Sequence, residues 1–242
     1  MNAIKTDKLT KRYNNIQAVD QLDLEVEHGE LFALLGINGA GKTTTLKMLT
    51  GLTPPTFGKA EIFGFNIGKD TDDIRRLIGV SPQETAIAAN LSVEENLDLI
   101  CGIHGFTKKK TQEKITEIAA KLSLESVLKR TAGKLSGGWQ RRLSVAMALI
   151  NEPKVLFLDE PTLGLDVIAR HDLWEIIKSL KGDVTIILTT HYMEEAESLS
   201  DRVGIMKNGR LVATGTPTEL INKSGAKNFE AAFVTIIKEN II

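Results

Sequence analysis

The segment from Leu31 to Gly51 constrains the fold of this chain more than any other part of the sequence. It begins with an unbroken apolar run, Leu31–Leu35, which is typical of a strand buried on both faces of a sheet. A glycine-rich loop follows directly, and Lys42–Thr50 then has the apolar spacing of a helix that ends at Gly51. Since a buried strand that turns into a helix is the building unit of parallel sheets, the segment predicts an α/β fold.

The loop between this strand and this helix reads Gly-Ile-Asn-Gly-Ala-Gly-Lys-Thr and matches G-x-x-x-x-G-K-[ST] at every position. Its glycines allow the backbone N–H groups to converge on phosphate oxygens, and the helix N-terminus adds positive potential. Lys42 is expected to reach the β- and γ-phosphates, and the Thr43 hydroxyl to coordinate Mg²⁺. A chance match in a polar loop is the alternative, but the flanking strand and helix argue against it. The predicted ligand-binding residues here are Gly36, Asn38, Gly39, Ala40, Gly41, Lys42, Thr43 and Thr44.

A second buried-strand pattern, Val155–Leu158, ends at two adjacent carboxylates. Ligand sites of parallel sheets gather at the carboxyl ends of the strands, so Asp159 is predicted to hold Mg²⁺ through water. Glu160 is the candidate general base, or the group that orients the attacking water. An Asp-Glu pair is often only surface charge, but this one ends an apolar strand and precedes Pro161.

Two further polar residues follow predicted strands. His191 comes after the β-branched strand pattern Val184–Thr189, and we expect it to contact the γ-phosphate, although most single histidines are structural or exposed. Gln83 comes after Ile78–Val80, where an uncharged amide could touch Mg²⁺ or the attacking water. The signal for Gln83 is the weaker of the two.

Leu135-Ser136-Gly137-Gly138 precedes a long amphipathic run and suggests a second helix N-terminus suited to an anion. The alternative is that Ser136 only caps a core helix whose buried face carries Leu143, Met147 and Ile150. Both roles can hold at once. A second anion site about a hundred residues after the first is not explained by one ligand in one chain.

Composition excludes several classes of function. A net charge of −1 gives no general affinity for nucleic acid or anionic lipid, and the single cysteine, Cys101, fits a reducing compartment. Neither a signal peptide nor an apolar stretch of membrane-spanning length is expected. Helical patterns from residue 86 to 151, including the capping box of Ser92 and Glu95, predict a helical insertion in the parallel-sheet core.

In order and spacing, these motifs resemble the nucleotide-binding subunits of ATP-binding cassette (ABC) transporters. The resemblance rests on the phosphate loop, Gln83, Leu-Ser-Gly-Gly, Val155–Glu160, Gly164-Leu165-Asp166 and His191, and the tetrad is its most specific element. It implies a P-loop NTPase with a RecA-like parallel-sheet core (residues 1–85 and 152–225) and an N-terminal antiparallel β-subdomain. The inserted α-helical subdomain would span 86–151 and a short tail 226–242.

The resemblance also implies roles for individual residues. Tyr13 resembles the aromatic residue that stacks on adenine, with a strand-edge core tyrosine as the alternative. Ser136, Gly137 and Gly138 would complete the ATP site of a second cassette in a head-to-tail pair, and Asp166 would link the two sites. Gln83 would also relay the nucleotide state to a transmembrane permease.

The implied function is ATP hydrolysis with Mg²⁺ that powers transport through a permease at the cytoplasmic face of the membrane, without nucleic acid as a partner. Trp139 stands where glutamine is usual and Leu163 where serine or asparagine is usual, which suggests the drug- or antibiotic-export (ABC-2) subgroup. The alternatives are a soluble ABC-type ATPase of translation or DNA repair, and a nucleotide-gated module that does not hydrolyse ATP. The cargo, the direction of transport, the choice of homodimer or heterodimer and the role of Trp139 stay open.

Overall fold

The computed structural model describes residues 2–239, so Met1 and the last three residues of the predicted tail lie outside the described part. Two compact units are present. The first combines the chain up to Arg75 with the chain from Lys181 onward, and the second is Arg76–Leu180. The domain boundaries expected from the sequence, at residues 86 and 151, remain a prediction.

The elements below are numbered along the described residues. The strands are β1 (Asn2–Tyr13), β2 (Ile16–Leu22), β3 (Glu25–Glu27), β4 (Leu31–Leu35), β5 (Phe57–Ile62), β6 (Phe65–Asn66), β7 (Ile78–Ser81), β8 (Val155–Asp159), β9 (Thr185–Thr190), β10 (Arg202–Lys207) and β11 (Arg210–Gly215). The helices are α1 (Lys42–Leu49), α2 (Thr71–Leu77), α3 (Val93–Ile103), α4 (Lys108–Lys121), α5 (Gly137–Leu149), α6 (Val167–Ser179), α7 (Met193–Leu199), α8 (Pro217–Ser224) and α9 (Phe229–Glu239).

The first unit contains the predicted antiparallel strands. They run in the order β2-β1-β5-β6, and β3 also pairs with β1. In the same unit β4 is flanked by β9 and β10, and both pairings are parallel. Every residue of β4 is buried, as its continuous apolar run predicted. The α/β class with parallel strands and a separate antiparallel sheet is therefore confirmed.

In the sequence, Asn208-Gly209 between the apolar runs Val203–Met206 and Leu211–Ala213 predicts a hairpin on a two-residue turn, and the structure confirms it. β10 and β11 pair antiparallel, and Lys207 lies opposite Arg210, so two residues make the turn. Asn208 and Gly209 both have positive φ, 49° and 80°, which is the conformation that a primed two-residue turn requires. Local sequence alone was enough to place this turn.

The second unit pairs β7 with β8 in parallel and contains α3, α4, α5 and α6. All residues of β8 are buried. The capping box predicted at Ser92 and Glu95 is present: the Ser92 hydroxyl accepts from the Glu95 N–H, and the Glu95 carboxylate accepts from the Ser92 N–H. The predicted helical character of this part of the chain is confirmed.

Three helices were missed by the sequence reasoning. They are the short α2 and α7, and α9, which occupies much of the segment expected to be only a short tail. The spacing of the buried residues of α9 is that of one helix face, so the signal was available. These buried residues are Phe229, Ala232, Phe233 and Ile236. Among residues 2–239, none of the helices combines the length and apolar character needed to cross a bilayer.

Candidate nucleotide-binding site

The glycines of the phosphate loop are required by its backbone and its packing. Gly39 and Gly41 have φ of 82° and 104°, and Gly41 is the N-cap of α1. A Cβ on Gly41 would lie 2.5 Å from the carbonyl oxygen of Ala18, and one on Gly36 would lie 2.6 Å from that of Met206. No L-residue with a side chain fits these positions without moving the backbone. The sequence showed the glycines but not the carbonyls of β2 and β10 that demand them.

Lys42 lies inside this loop. Its side chain is only 6 % exposed, and its Nζ donates to the carbonyl oxygen of Gly36 at 2.7 Å and to that of Ile37 at 3.4 Å. Lys42 is the first residue of α1, and Thr43, Thr44 and Thr45 continue the helix. The positive potential of the helix N-terminus therefore adds to the ammonium charge. A loop of this kind is suited to bind a phosphate chain.

The structure brings His191 to the same edge as the phosphate loop. β4 and β9 are neighbours, with Leu35 opposite Thr190. The backbone N–H of Gly36 also donates to the carbonyl oxygen of Thr190 at 3.3 Å. His191 follows directly and is half-buried, and its ring lies 4.1 Å from that of Tyr192 between centroids. The predicted position of His191 near the phosphate loop is thus achieved by strand pairing.

Tyr13 lies at the end of β1 and is 43 % exposed. The alternative of a tyrosine buried in the core is therefore wrong. The Nζ of Lys11 lies 5.1 Å from the centre of its ring. β1 pairs here with β2, the strand whose Ala18 contacts the phosphate loop, so an accessible aromatic ring is available in the same unit.

In the second unit, Asp159 is the last residue of β8 and Gln83 lies two residues after β7, at the same ends of two paired strands. Ser81 is opposite Leu158 in the parallel pair of β7 and β8, and each predicted residue comes shortly after its strand partner. Gln83 is exposed, whereas Asp159 and Glu160 are both buried. Buried carboxylates at the ends of parallel strands are typical of ligand sites rather than of surface charge.

Glu160 has a strained backbone. Its φ is 48°, in the left-handed region that a residue with a side chain seldom adopts. Holding this conformation costs about 1–3 kcal/mol. Lys8, Phe63 and Glu152 adopt the same region, so the functional assignment of Glu160 rests on its burial at the end of β8 and not on its φ.

Ser136 is the N-cap of α5, but its side chain does not cap the helix by a hydrogen bond. Ser136 and Gly137 are exposed, so their polar groups are accessible at this helix end. The capping alternative is wrong for the hydroxyl. Leu143 and Ile150 are buried as that alternative required, but Met147 is only half-buried. The first turn of α5 is therefore open to an anion supplied from outside.

A cavity of about 270 Å³ adjoins this helix end and is lined in part by Ser136, Trp139 and Asp166. The guanidinium of Arg142 lies 4.8 Å from the centre of the Trp139 ring and is 2.7 Å from the carboxylate of Asp172. These contacts orient the indole, which directly follows Gly137 and Gly138 in the chain.

Asp166 is exposed and caps α6, since its carboxylate accepts from the N–H of Ala169 at 2.9 Å. The two residues that follow, Val167 and Ile168, are 77 % and 75 % exposed, and Leu163 nearby is 37 % exposed. A group of exposed apolar side chains beside a polar cavity is a feature of surfaces that bind another protein.

Within residues 2–239 no group of three or more His, Cys, Asp and Glu residues is arranged to hold a metal ion. The predicted Mg²⁺ ligands are a hydroxyl (Thr43), an amide (Gln83) and a carboxylate (Asp159). All three supply oxygen, which Mg²⁺ prefers, and Mg²⁺ is usually bound by one or two protein groups together with substrate phosphates. The donor chemistry therefore fits this metal.

Comparison with known proteins agrees with these motifs. A family model described as "ABC transporter" matches residues 19–163. The chain is 43 % identical to the human phospholipid-transporting ATPase ABCA3, over 92 % of this chain but only 13 % of that protein. It is 39 % identical to the daunorubicin/doxorubicin resistance ATP-binding protein DrrA of Streptomyces peucetius, over 93 % of this chain and 68 % of that protein. The chain thus spans a small part of the first relative and about two thirds of the second.

Solved structures share the fold over nearly the whole chain. An ATP-binding subunit of an ABC transporter superposes with a TM-score of 0.86 at 28 % identity, covering 97 % of this chain and 99 % of that one. A dimeric ATP-binding cassette bound to ADP and Pi has a TM-score of 0.79 at 25 % identity, covering 88 % and 98 %. Since the family model covers more than half of the chain and a 39 % identical relative is covered over two thirds of its length, this chain belongs to the ABC transporter family.

Proposed function

We propose that this chain binds and hydrolyses ATP to power the export of a substrate through a transmembrane permease. The observation that carries the proposal is the phosphate loop, in which the buried Lys42 ammonium is held by the loop carbonyls and Gly39 and Gly41 have positive φ. This places a positive charge within the loop that would bind the triphosphate. Membership of the ABC transporter family supports ATP as the ligand.

Hydrolysis requires an oriented water and a group that accepts its proton. Glu160 serves this role, and the burial of its carboxylate directly after β8 supports the assignment. His191, which follows the strand next to the phosphate loop, contacts the γ-phosphate. Mg²⁺, when bound, would neutralise part of the charge on the phosphates. Thr43, Gln83 and Asp159 are the residues that would hold it.

The functional assembly contains a second ATP-binding subunit. Ser136, Gly137 and Gly138 complete the ATP site of the partner, which explains why one chain carries two anion-binding helix ends. The accessible Ser136 hydroxyl and the exposed Val167 and Ile168 support this assembly. The dimeric state of the related cassette bound to ADP and Pi supports it as well. Asp166 lies beside this surface and links the two sites.

The permease is the second partner. Gln83 and the helical segment 86–151 pass the nucleotide state to it, which places the chain at the cytoplasmic face of the membrane. Export is supported by the similarity to DrrA, which is named for drug resistance.

Steady-state phosphate release with Mg²⁺ and ATP tests the proposal. We expect the wild-type chain to hydrolyse ATP, Glu160→Gln to bind ATP with turnover reduced at least about a hundredfold, and Lys42→Ala to lose ATP binding. Arg75→Gln, which changes an exposed arginine, is the matched control and should hydrolyse at the wild-type rate.

Binding without hydrolysis in the wild type would identify a nucleotide-gated module instead. Wild-type turnover in Glu160→Gln would remove Glu160 from its role. Hydrolysis by a protein that fractionates with ribosomes or DNA rather than with membranes would favour the soluble class of ABC ATPase.

A further inference from the structure

Helix α5, whose N-cap is Ser136, packs along strand β7. Gln83 follows this strand in the chain. The helix and the strand contact each other at three positions along α5. A Cβ on Gly79 would lie 2.1 Å from the carbonyl oxygen of Ala148, so the backbones touch. One helical turn earlier, the hydroxyls of Ser81 and Ser144 are 2.8 Å apart and both are buried. These contacts fix the register of β7 against α5 in the structure.

Arg141 makes the third contact between the helix and the end of the strand. Its side chain is only 5 % exposed, and its guanidinium donates to the carbonyl oxygens of Pro82 and Gln83, both at 2.6 Å. Burial lowers the pKa of Arg141, and the charge of Asp159 acts in the opposite direction. A buried guanidinium is costly, and hydrogen bonds to it are stronger than neutral ones, so this contact is strongly specified.

The identity of the two carbonyls is informative. The carbonyl of Pro82 belongs to the peptide plane before the Cα of Gln83, and the carbonyl of Gln83 belongs to the plane after it. Because a peptide group is planar, holding both oxygens restricts both backbone dihedrals of Gln83 and hence the direction of its Cα–Cβ bond. The planar fork of arginine can hold two such oxygens at once, which the single ammonium of lysine cannot do with the same geometry.

We propose that Arg141 is a positioning residue that aims the Gln83 side chain and couples its position to that of helix α5. The inference rests on the proposed function, in which Gln83 acts on Mg²⁺ or the attacking water. Since the triphosphate is held by the phosphate loop, losing the clamp should reduce turnover more than ATP affinity. Sequence reasoning missed Arg141, although its helical spacing to Ser144 and Val145 on the buried face of α5 was a usable signal.

The experiment compares Arg141→Gln and Arg141→Lys with Arg130→Gln, an exposed arginine in the same unit. We expect Arg141→Gln to reduce kcat by roughly ten- to a hundredfold while KM for ATP changes by less than about threefold. Arg141→Lys, which retains the charge, should lose less, and Arg130→Gln should behave as the wild type. In a Gln83→Ala background, Arg141→Gln should have almost no further effect on kcat.

Hydrogen exchange of the backbone amides of residues 83–85 supplies a readout that does not depend on hydrolysis. We expect exchange there to be about tenfold faster in Arg141→Gln, with the rest of the chain unchanged. If the wild type does not hydrolyse ATP, the proposed function fails, and the exchange still decides on the clamp. Unchanged exchange, or an equal loss of kcat with and without Gln83, would overturn the proposal. If Arg141→Gln does not fold, Arg141→Lys carries the same comparison.

Discussion

At the scale of single residues, three positions with positive φ are constrained to different degrees and for different reasons. Gly41 combines a positive φ with a backbone carbonyl where a Cβ would be, whereas Gly64 has a similar φ of 83° and open space around it. Glu160 keeps a positive φ although it carries a long side chain. The first residue is constrained by packing and the last is held against its preference.

The two glycines separate the conformational cost from the steric cost. We expect Gly64→Ala to lower the free energy of unfolding by about 1–2 kcal/mol and to leave ATP binding intact. Gly41→Ala should lower it further and weaken ATP binding more than about tenfold, because the loop must move away from Ala18. Urea unfolding and calorimetric titration with ATP measure both effects. Equal losses in the two variants would show that the contact with Ala18 does not matter.

At the scale of elements, the helix N-termini differ in how their first N–H groups are satisfied. α8 has a full capping box, with Thr216 and Glu219 accepting from each other's N–H groups. α5 begins at Ser136 without a hydrogen bond from the serine side chain. A helix that does not use its serine for stability is free to use it for a ligand.

This contrast gives a prediction for stability and turnover. Thr216→Ala should lower the free energy of unfolding by about 1 kcal/mol without changing the ATPase rate. Ser136→Ala should leave stability within about 0.5 kcal/mol of the wild type and reduce turnover, since its hydroxyl is assigned to the partner's nucleotide. Thermal unfolding and phosphate release are the measurements. A stability loss in Ser136→Ala as large as in Thr216→Ala would argue that the serine is only a cap.

In the second unit, the buried ammonium of Lys114 links helix α4 to Glu152, which follows helix α5 in the chain. Lys114 is buried and bonds to Glu117 and Glu152. Burial alone would lower the pKa of Lys114, but the two carboxylates outweigh it and the pKa is raised. The hydrogen bond and the charge of Lys114 lower the pKa of Glu152.

The lowered pKa of Glu152 has a defined consequence for stability. Because the folded state binds a proton less readily than the unfolded state, the contribution of Glu152 is complete above the usual carboxyl pKa and is lost as the pH falls through its folded pKa. We expect Glu152→Gln to cost about 1 kcal/mol at neutral pH, since the carboxylate is largely exposed. The difference from wild type should shrink below about pH 4 in urea unfolding curves. A difference that is independent of pH would contradict the pairing.

At the scale of the whole molecule, each unit contains a helix end that we propose to bind phosphate, one at Gly41 and one at Ser136. The proposed head-to-tail pair gives both ends a ligand. Exposed Val167 and Ile168 provide apolar area for the association, and ATP supplies the charge that joins the two copies.

Association should therefore depend on ATP. We expect Glu160→Gln to sediment as a dimer with Mg²⁺ and ATP and as a monomer without nucleotide, because slow hydrolysis keeps the joining ligand in place. Adding Ile168→Glu should prevent the dimer, whereas Arg75→Gln, far from these residues in sequence and exposed, should not. An ATP-loaded Glu160→Gln protein that stays monomeric at tens of micromolar would contradict the shared site.

What the sequence determined by itself is local. The phosphate loop, the capping boxes, the Asn-Gly turn and the buried strands could be predicted because each depends on residues within a few positions of one another. Local backbone geometry and side-chain periodicity are encoded at that distance. The family resemblance extended these predictions to residue roles.

Tertiary structure decided which distant groups meet. The pairing of β4 with β9 brings His191 beside the phosphate loop, and the packing of α5 on β7 brings Arg141 to the carbonyls around Gln83. The carbonyls that exclude a side chain at Gly36 and Gly41 also come from other strands. Such contacts depend on strand order and on the close packing of elements far apart in the chain, which no short-range pattern specifies.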